Sequence, residues 1–127
     1  MKLGIVISET YPEITEKMLS LAEQTARDAS VEFEVLKVPG AFDIPFGVQQ
    51  IIGRVDGVVT LGAVIKGETD HDEVIMEAIA PKLIELSLAR NKPVVLGING
   101  PDMTREQAIA RIPRAKKVTE ACLTMLS

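Results

Sequence analysis

The 127-residue chain contains few of the residue types that mark several functional classes. Its one cysteine, Cys122, excludes a disulfide within the chain, and the apolar spacing around it predicts a buried helix position. Tryptophan is absent, aromatic residues make up 3% of the chain and the net charge is −4, which is unlike a nucleic-acid-binding protein. No apolar run approaches the roughly 18 residues of a membrane span, and no signal-peptide pattern is present. We therefore expect a cytoplasmic protein that binds a small polar ligand.

Four apolar runs rich in branched residues alternate with helical patterns along the chain. This alternation predicts one domain over residues 1–127, an α/β fold in which helices cover both faces of a parallel sheet. The second strand alternates apolar and charged side chains, so it is expected at a sheet edge. The four strands are predicted at 3–7, 31–37, 58–65 and 94–98.

Capping signals mark the starts of the first two helices. Thr10 and Glu13 form a T-x-x-E pattern, which predicts a capping box with Pro12 in the first helical turn. Asp43 and Pro45 are expected to open the second helix.

The later helices carry two further signals. Pro81 lies inside the third helix, predicted from about 70 to 90, and should kink it near 77–81 because proline removes a backbone donor. Thr104 and Gln107 predict a second capping box. The last two helices are expected over 104–111 and 115–126.

The only histidine, His71, lies where the third strand gives way to the third helix. An imidazole beside the backbone amides of a helix start suits proton transfer on a phosphorylated substrate. Taken alone, this window also fits a solvated helix start in which Asp70, Asp72 and Glu73 complement the helix dipole. A metal site made by these four residues is disfavoured, because neighbours on a helix point in different directions.

The loops that follow the strands are expected to meet, because ligands of open α/β sheets bind outside the carboxyl ends of the strands. Each loop places a polar residue beside a small or rigid one. In any single loop, glycine and proline that simply end a strand explain this pattern, but four such loops together indicate a binding site. The loops span 8–12, 39–45, 65–70 and 98–104.

Two segments carry the most specific pattern in the chain: Val38-Pro-Gly-Ala-Phe-Asp-Ile-Pro45 and Leu61-Gly-Ala-Val-Ile-Lys-Gly-Glu-Thr-Asp-His71. With the Leu96-Gly97 turn and Gln107-Ala-Ile-Ala-Arg111, they closely resemble the 6,7-dimethyl-8-ribityllumazine synthase family, and the resemblance runs over nearly the whole chain. It implies a flavodoxin-like three-layer α/β/α sandwich with a four-stranded parallel sheet in the order 2-1-3-4.

The resemblance implies an enzyme of riboflavin biosynthesis that uses no metal or organic cofactor. The family condenses 5-amino-6-(ribitylamino)-pyrimidine-2,4-dione with 3,4-dihydroxy-2-butanone 4-phosphate, forming 6,7-dimethyl-8-ribityllumazine and releasing phosphate and water. Imine formation, phosphate loss and ring closure all move protons near neutral pH, where an imidazole is well matched. His71 matches the catalytic histidine of the family.

The resemblance also implies binding residues for both substrates. The phosphate site of the family is matched by the backbone amides of Glu68 and Thr69 and by Arg111, which Lys116 assists. Taken alone, Arg111 would also fit a solvated surface position. Asp43 matches the acceptor of ribityl hydroxyls, and an N-cap role fits it equally. The segments that hold the pyrimidine and its ribityl chain, chiefly through backbone groups, match Ala41, Phe42, Asp43, Ala63, Val64 and Ile65.

The chain departs from the family pattern at the residues that bind the pyrimidine ring. Many members have an aromatic-asparagine pair after the first strand, but this chain has Thr10 and Tyr11, and we expect Tyr11 to cover the heterocycle. Leu96 replaces a second aromatic residue, which in many members comes from the neighbouring subunit. Since leucine packs on a ring without π overlap, weaker substrate affinity is expected.

The resemblance implies an active site shared between adjacent subunits of a homopentamer, with Leu96, Arg111 and Lys116 completing the site around His71. The sequence does not distinguish a free pentamer from an icosahedral shell of sixty subunits. Two other functions stay open: an archaeal-type riboflavin synthase, and a non-enzymatic relative that binds flavin or lumazine or forms a shell. Catalysis of the condensation would distinguish them from the synthase.

Overall fold

A computed structural model of the chain describes residues 1–67, 69 and 71–127. Four parallel strands form one sheet in the order β2-β1-β3-β4, which confirms the predicted topology. The strands are β1 (Lys2–Ser8), β2 (Glu32–Val38), β3 (Gly57–Ala63) and β4 (Val94–Asn99). The helices are α1 (Pro12–Asp28), α2 (Ile44–Ile51), α3 (His71–Arg90), α4 (Arg105–Ala110) and α5 (Arg114–Leu126).

Helices cover both faces of the sheet because successive strand residues point to opposite sides. Leu3, Ile5 and Ile7 of β1 pack with α1 and α5, and the buried Cys122 of α5 lies in this core as predicted. Val6 of β1 faces the other way and packs with α2 and α3. The result is the predicted three-layer, flavodoxin-like α/β/α sandwich.

The positions of the strands in the sheet explain their burial. β3 is buried throughout, whereas β2 is mostly half-buried at the edge of the sheet, as its alternating pattern predicted. Leu96 and Gly97 lie inside β4, so the turn expected there is wrong. A Cβ atom on Gly97 would lie 2.4 Å from the carbonyl oxygen of Thr60 on β3, and glycine therefore permits the close pairing of the two strands.

The capping box predicted for the first helix is wrong. Tyr11 occupies the cap position in a left-handed conformation (φ 57°, ψ 59°), and Pro12 begins the helix as expected. Thr10 therefore lies one residue too early to cap, and its hydroxyl donates to the carbonyl oxygen of Pro39 at 3.1 Å. Glu13 pairs instead with Arg105.

The second capping box is confirmed. The Thr104 hydroxyl accepts the N–H of Gln107 at 3.2 Å, and the Gln107 side chain accepts the N–H of Thr104 at 2.8 Å. The helix that follows, α4, ends at Ala110, one residue before the predicted end.

The other helix starts differ slightly from their predictions. A 3₁₀ turn over Ala41–Asp43 precedes α2, and the Asp43 carboxylate accepts the N–H of Gly40 at 3.0 Å rather than capping α2. One continuous helix, α3, runs from His71 with Pro81 inside it, and the kink stays a prediction. Within the described ranges, no helix is both long and apolar enough to cross a bilayer.

Candidate active site

A cavity of about 320 Å³ opens where the strands end and α3 begins. It is called the His71 cavity below, and it is lined by residues 10–11, 40–42, 63–65, 71–72 and 75. The loops after β1, β2 and β3 thus meet at one place, as predicted for the carboxyl ends of parallel strands. The predicted site residues brought together with His71 are Thr10, Tyr11, Ala41, Phe42, Ala63, Val64 and Ile65.

His71 is the first residue of α3, and its side chain is exposed at the rim of the cavity. The walls near it are apolar, formed by Ala63 and Val64 at the end of β3 and by Ile75 one helical turn further along α3. This arrangement places an imidazole, a group able to transfer protons, beside an apolar slot. Such a slot suits a flat ring that carries polar groups.

The loop after β1 holds Tyr11 in a conformation that is uncommon for an aromatic residue. The Tyr11 carbonyl oxygen accepts the N–H groups of Ile14 at 2.9 Å and Thr15 at 3.0 Å, and these bonds hold the turn at the start of α1. The Thr10 hydroxyl ties the same loop to the loop after β2 through Pro39. Backbone strain held by neighbouring contacts in this way clusters at functional sites.

The loop after β2 supplies an exposed aromatic side chain. Phe42 is 65% exposed and lines the cavity, whereas Ala41 beside it is buried. Asp43 is exposed on the α2 side of this loop and lines a neighbouring groove with Pro39 and Phe46. Its predicted contact with ribityl hydroxyls stays a prediction, and it occupies the predicted N-cap position of α2 without a capping hydrogen bond from its side chain.

Two backbone hydrogen bonds tie the segment after β3 to the last residue of β4 and to the loop that follows it. The N–H of Val64 donates to the Asn99 carbonyl oxygen at 2.8 Å, and the N–H of Lys66 donates to the Met103 carbonyl oxygen at 2.8 Å. Gly100 (φ 128°) lies against this segment, and a Cβ atom there would come within 2.3 Å of the Val64 carbonyl oxygen. The loop after β4 therefore supports one wall of the cavity.

Charged groups reinforce the same junction. The Lys66 ammonium lies 2.9 Å from the Asp102 carboxylate, and this hydrogen bond is the main cause of the raised pKa of Lys66. The carboxylate of Asp72 accepts the N–H of Asp102 at 2.8 Å and is only 4% exposed.

The predicted phosphate site is described only in part. Thr69 is exposed, and the prediction for Glu68 lies outside the described residues, as does Asp70 of the acidic cluster. The described members of that cluster diverge, because Asp72 is buried while His71 and Glu73 are exposed. Across residues 1–67, 69 and 71–127, no three side chains of His, Cys, Asp or Glu are grouped as metal ligands.

Besides Asp43 and Thr69, three predicted site residues do not line the His71 cavity as the structure describes it. Leu96 is 37% exposed on β4, and Lys116 is exposed beside a groove that α1 and α5 line. Arg111 lines a second cavity of about 340 Å³, called the Arg111 cavity below, together with Asp102 and Met103. A single chain thus separates the imidazole from the predicted phosphate-binding cations.

Sequence reasoning missed two lining residues on α3. Asp72 and Ile75 line the His71 cavity, and neither was predicted to do so. The helical period could have found Ile75, because residues four apart share one face of a helix. Asp72 carried no such signal, because an acidic residue in a first turn is usually solvated.

Comparison with known proteins places the chain among relatives of one kind. A sequence model of 6,7-dimethyl-8-ribityllumazine synthase matches residues 1–127. The enzyme of that name from Picrophilus torridus is 46% identical, with 99% of this chain and 95% of the relative covered. The one from Metallosphaera sedula is 53% identical, with 88% of this chain and 76% of the relative covered.

A solved structure supports the fold independently of close sequence similarity. The chain is similar to a flavone reductase with a TM-score of 0.52 and 13% sequence identity. The match covers 98% of this chain and 64% of the reductase. At this identity the likeness concerns the α/β/α architecture alone.

Proposed function

The chain belongs to the 6,7-dimethyl-8-ribityllumazine synthase family, and we propose that the His71 cavity is where it performs the family's condensation. The enzyme is a transferase of riboflavin biosynthesis. It joins 5-amino-6-(ribitylamino)-pyrimidine-2,4-dione to 3,4-dihydroxy-2-butanone 4-phosphate and releases phosphate and water. The match over residues 1–127 supports the single lumazine synthase-like domain expected from the sequence.

The observation that carries this assignment is the composition of the His71 cavity. Its volume of about 320 Å³ is within the range of small-molecule sites. Tyr11 and Phe42 line it from two different loops, and Ala63 and Val64 give it an apolar wall. A pyrimidinedione ring is flat and has polar edges, so aromatic side chains and backbone groups at the strand ends suit it. Tyr11 takes the place of the family's stacking aromatic residue in this proposal.

His71 is the proposed acid/base group. The amine of one substrate attacks the ketone of the other, water leaves to give an imine, phosphate leaves, and the second amine closes the ring on the remaining carbonyl carbon with loss of a second water. Each step needs a proton added or removed at nitrogen or oxygen, and an exposed imidazole at the cavity rim can do both. Solvent at the rim can return its proton between steps.

The phosphate-binding cations come from a second subunit in this proposal. Arg111 is exposed and lies beside its own cavity rather than in the His71 cavity of the same chain, and Lys116 is likewise exposed elsewhere. The leaving phosphate needs compensating positive charge, which a guanidinium supplies in bidentate form. A neighbour that brings its Arg111 to the His71 cavity, with Leu96 and Lys116 beside it, would complete the site.

Exposed apolar side chains support the homopentamer in which this would happen. The exposed fractions of Phe46 on α2 and of Val74, Ile84 and Leu88 on α3 are 66%, 63%, 59% and 77%. Large apolar side chains grouped on one side of a protein commonly form subunit interfaces. The proposal covers both a free pentamer and a sixty-subunit shell of pentamers, in the cytoplasm.

The experiment that tests the function mixes both substrates with the purified chain. Lumazine absorbance is followed against the slow uncatalysed condensation. We expect a rate proportional to the enzyme concentration that saturates in both substrates. A wild-type rate equal to the uncatalysed one would contradict the assignment, and conversion of added lumazine to riboflavin would favour a riboflavin synthase instead.

A further inference from the structure

A buried carboxylate lies next to the proposed acid/base residue. Asp72 follows His71 in the first turn of α3, lines the same cavity and is only 4% exposed. Carboxylates are rarely this buried unless a partner satisfies them. The partner is the backbone N–H of Asp102, which donates to the Asp72 Oδ2 atom at 2.8 Å.

Two further contacts fix the partner loop, so the hydrogen bond is part of a larger junction. Lys66 pairs through its ammonium with the Asp102 carboxylate at 2.9 Å, and its backbone N–H donates to the Met103 carbonyl oxygen at 2.8 Å. The contacts among Lys66, Asp72, Asp102 and Met103 are called the brace below. Asp102 itself is left-handed (φ 60°), a conformation that aspartate tolerates better than most residues.

The brace lies between the His71 cavity and the Arg111 cavity of the same chain. Asp72 lines the His71 cavity, whereas Asp102 and Met103 line the Arg111 cavity. The same loop continues through the Thr104 capping box into α4, which Arg111 follows directly. The contact between Asp72 and Asp102 therefore fixes the position of the first turn of α3 relative to the loop after β4.

We propose that Asp72 is a positioning residue, which fixes His71 at the cavity by accepting the N–H of Asp102. This inference rests on the proposed acid/base role of His71. The carboxylate acts as a hydrogen-bond acceptor and not as a second proton-transfer group. Without it, the Asp102 N–H loses this acceptor, and the first turn of α3 loses the contact that holds it to the loop.

Kinetics of paired variants test the proposal. Asp72→Ala removes the acceptor, and a displaced His71 should lower kcat by about 10- to 100-fold, since misplacement by about 1 Å is that costly. Asp72→Asn keeps a carbonyl acceptor, although a weaker neutral one, and should keep kcat within about fivefold of wild type. The KM for the pyrimidine substrate should change little in both, because the walls from Thr10 to Ile65 are unaltered.

A matched control separates the hydrogen bond from the charge of the helix start. Glu73→Gln removes an exposed carboxylate from the same first turn and should leave kcat and KM near the wild-type values. Wild-type kcat in Asp72→Ala would overturn the proposal. An equal loss in Asp72→Asn and Asp72→Ala would also overturn it, because it would show that the charge is what matters.

Hydrogen exchange tests the brace without any catalysis. The backbone amide of Asp102 should exchange faster in Asp72→Ala than in wild type, while Asp72→Asn should retain most of the protection. Unchanged exchange in Asp72→Ala would refute the brace even if the enzyme is active. If wild type does not catalyse the condensation but the Asp102 amide still exchanges faster in Asp72→Ala, the result supports the brace and refutes only the proposed function.

Folding of the variants is followed by circular dichroism and sedimentation. If Asp72→Ala does not fold, Asp72→Leu replaces it, since leucine fills more of the space of the lost carboxylate. Failure of both to fold beside a folded Asp72→Asn would assign Asp72 to stability and overturn a positioning role.

Discussion

Replacing Gly100 by alanine should destabilise the fold at the edge of the proposed active site. A Cβ atom at this position would lie 2.3 Å from the carbonyl oxygen of Val64, a backbone atom that cannot turn away as a side chain can. Real Cβ contacts are essentially never shorter than 3.0 Å, so the two segments must separate by 3.0 − 2.3 = 0.7 Å. The φ angle of 128° adds strain, because side chains other than glycine rarely adopt it.

The expected loss in the free energy of unfolding combines these two effects. Backbone strain at such a φ costs about 1–3 kcal/mol, and overpacking against a fixed neighbour costs about 1–3 kcal/mol. The two costs do not add in full, because one local backbone shift relieves part of both. We therefore expect the free energy of unfolding to fall by about 2–4 kcal/mol, a large part of the roughly 5–15 kcal/mol total stability of a typical domain. Condensation should also slow, because Val64 forms a wall of the His71 cavity.

Gly67→Ala is the matched control for this prediction. Gly67 lies in the segment after β3, and among the described residues a Cβ atom there would meet nothing within 4 Å. Urea unfolding should therefore place Gly67→Ala within about 0.5 kcal/mol of wild type. Equal stabilities of Gly100→Ala, Gly67→Ala and wild type would refute the steric reasoning about Gly100.

Three further predictions address the shared site, the surface charges and the cysteine. His71→Ala and Arg111→Ala should each slow condensation while leaving assembly intact, and mixed oligomers refolded from both should regain activity; mixtures as slow as their parents would contradict a shared site. The pKa of Glu34 is lowered to about 2, mainly by its hydrogen bond to Arg54. Glu34 therefore stabilises the fold above its ordinary pKa of 4.5, so the stability gap between wild type and Glu34→Gln should close as pH falls from 4.5 to 2; a constant gap would contradict this. Burial raises the pKa of Cys122 to about 12, so the folded protein should resist iodoacetamide at about pH 8, whereas rapid alkylation before unfolding would contradict that burial.

The features that the sequence predicted correctly depend on local patterns. The alternation of strands and helices, the edge position of β2 and the Thr104 capping box follow from periodicity and from contacts three residues apart, whereas the strand order was implied by the family resemblance. The features it missed depend on distant contacts. Thr10 does not cap α1, because the left-handed Tyr11 moves the helix start by one residue and the Thr10 hydroxyl donates instead to Pro39 in the loop after the neighbouring strand β2.

The acidic cluster around His71 illustrates why the site could be predicted only in part. By sequence alone, Asp72 and Glu73 are equivalent first-turn acids that complement the helix dipole. The fold makes them different, because the loop after β4 brings the Asp102 N–H within 2.8 Å of Asp72 and leaves Glu73 in solvent. That contact joins residues thirty positions apart, so no local pattern encodes it. If the contact positions His71 as proposed, the loop after β4 affects catalysis without contacting the substrate. Variants of Asp102 that weaken its N–H contact with Asp72 should then lower kcat with little change in KM.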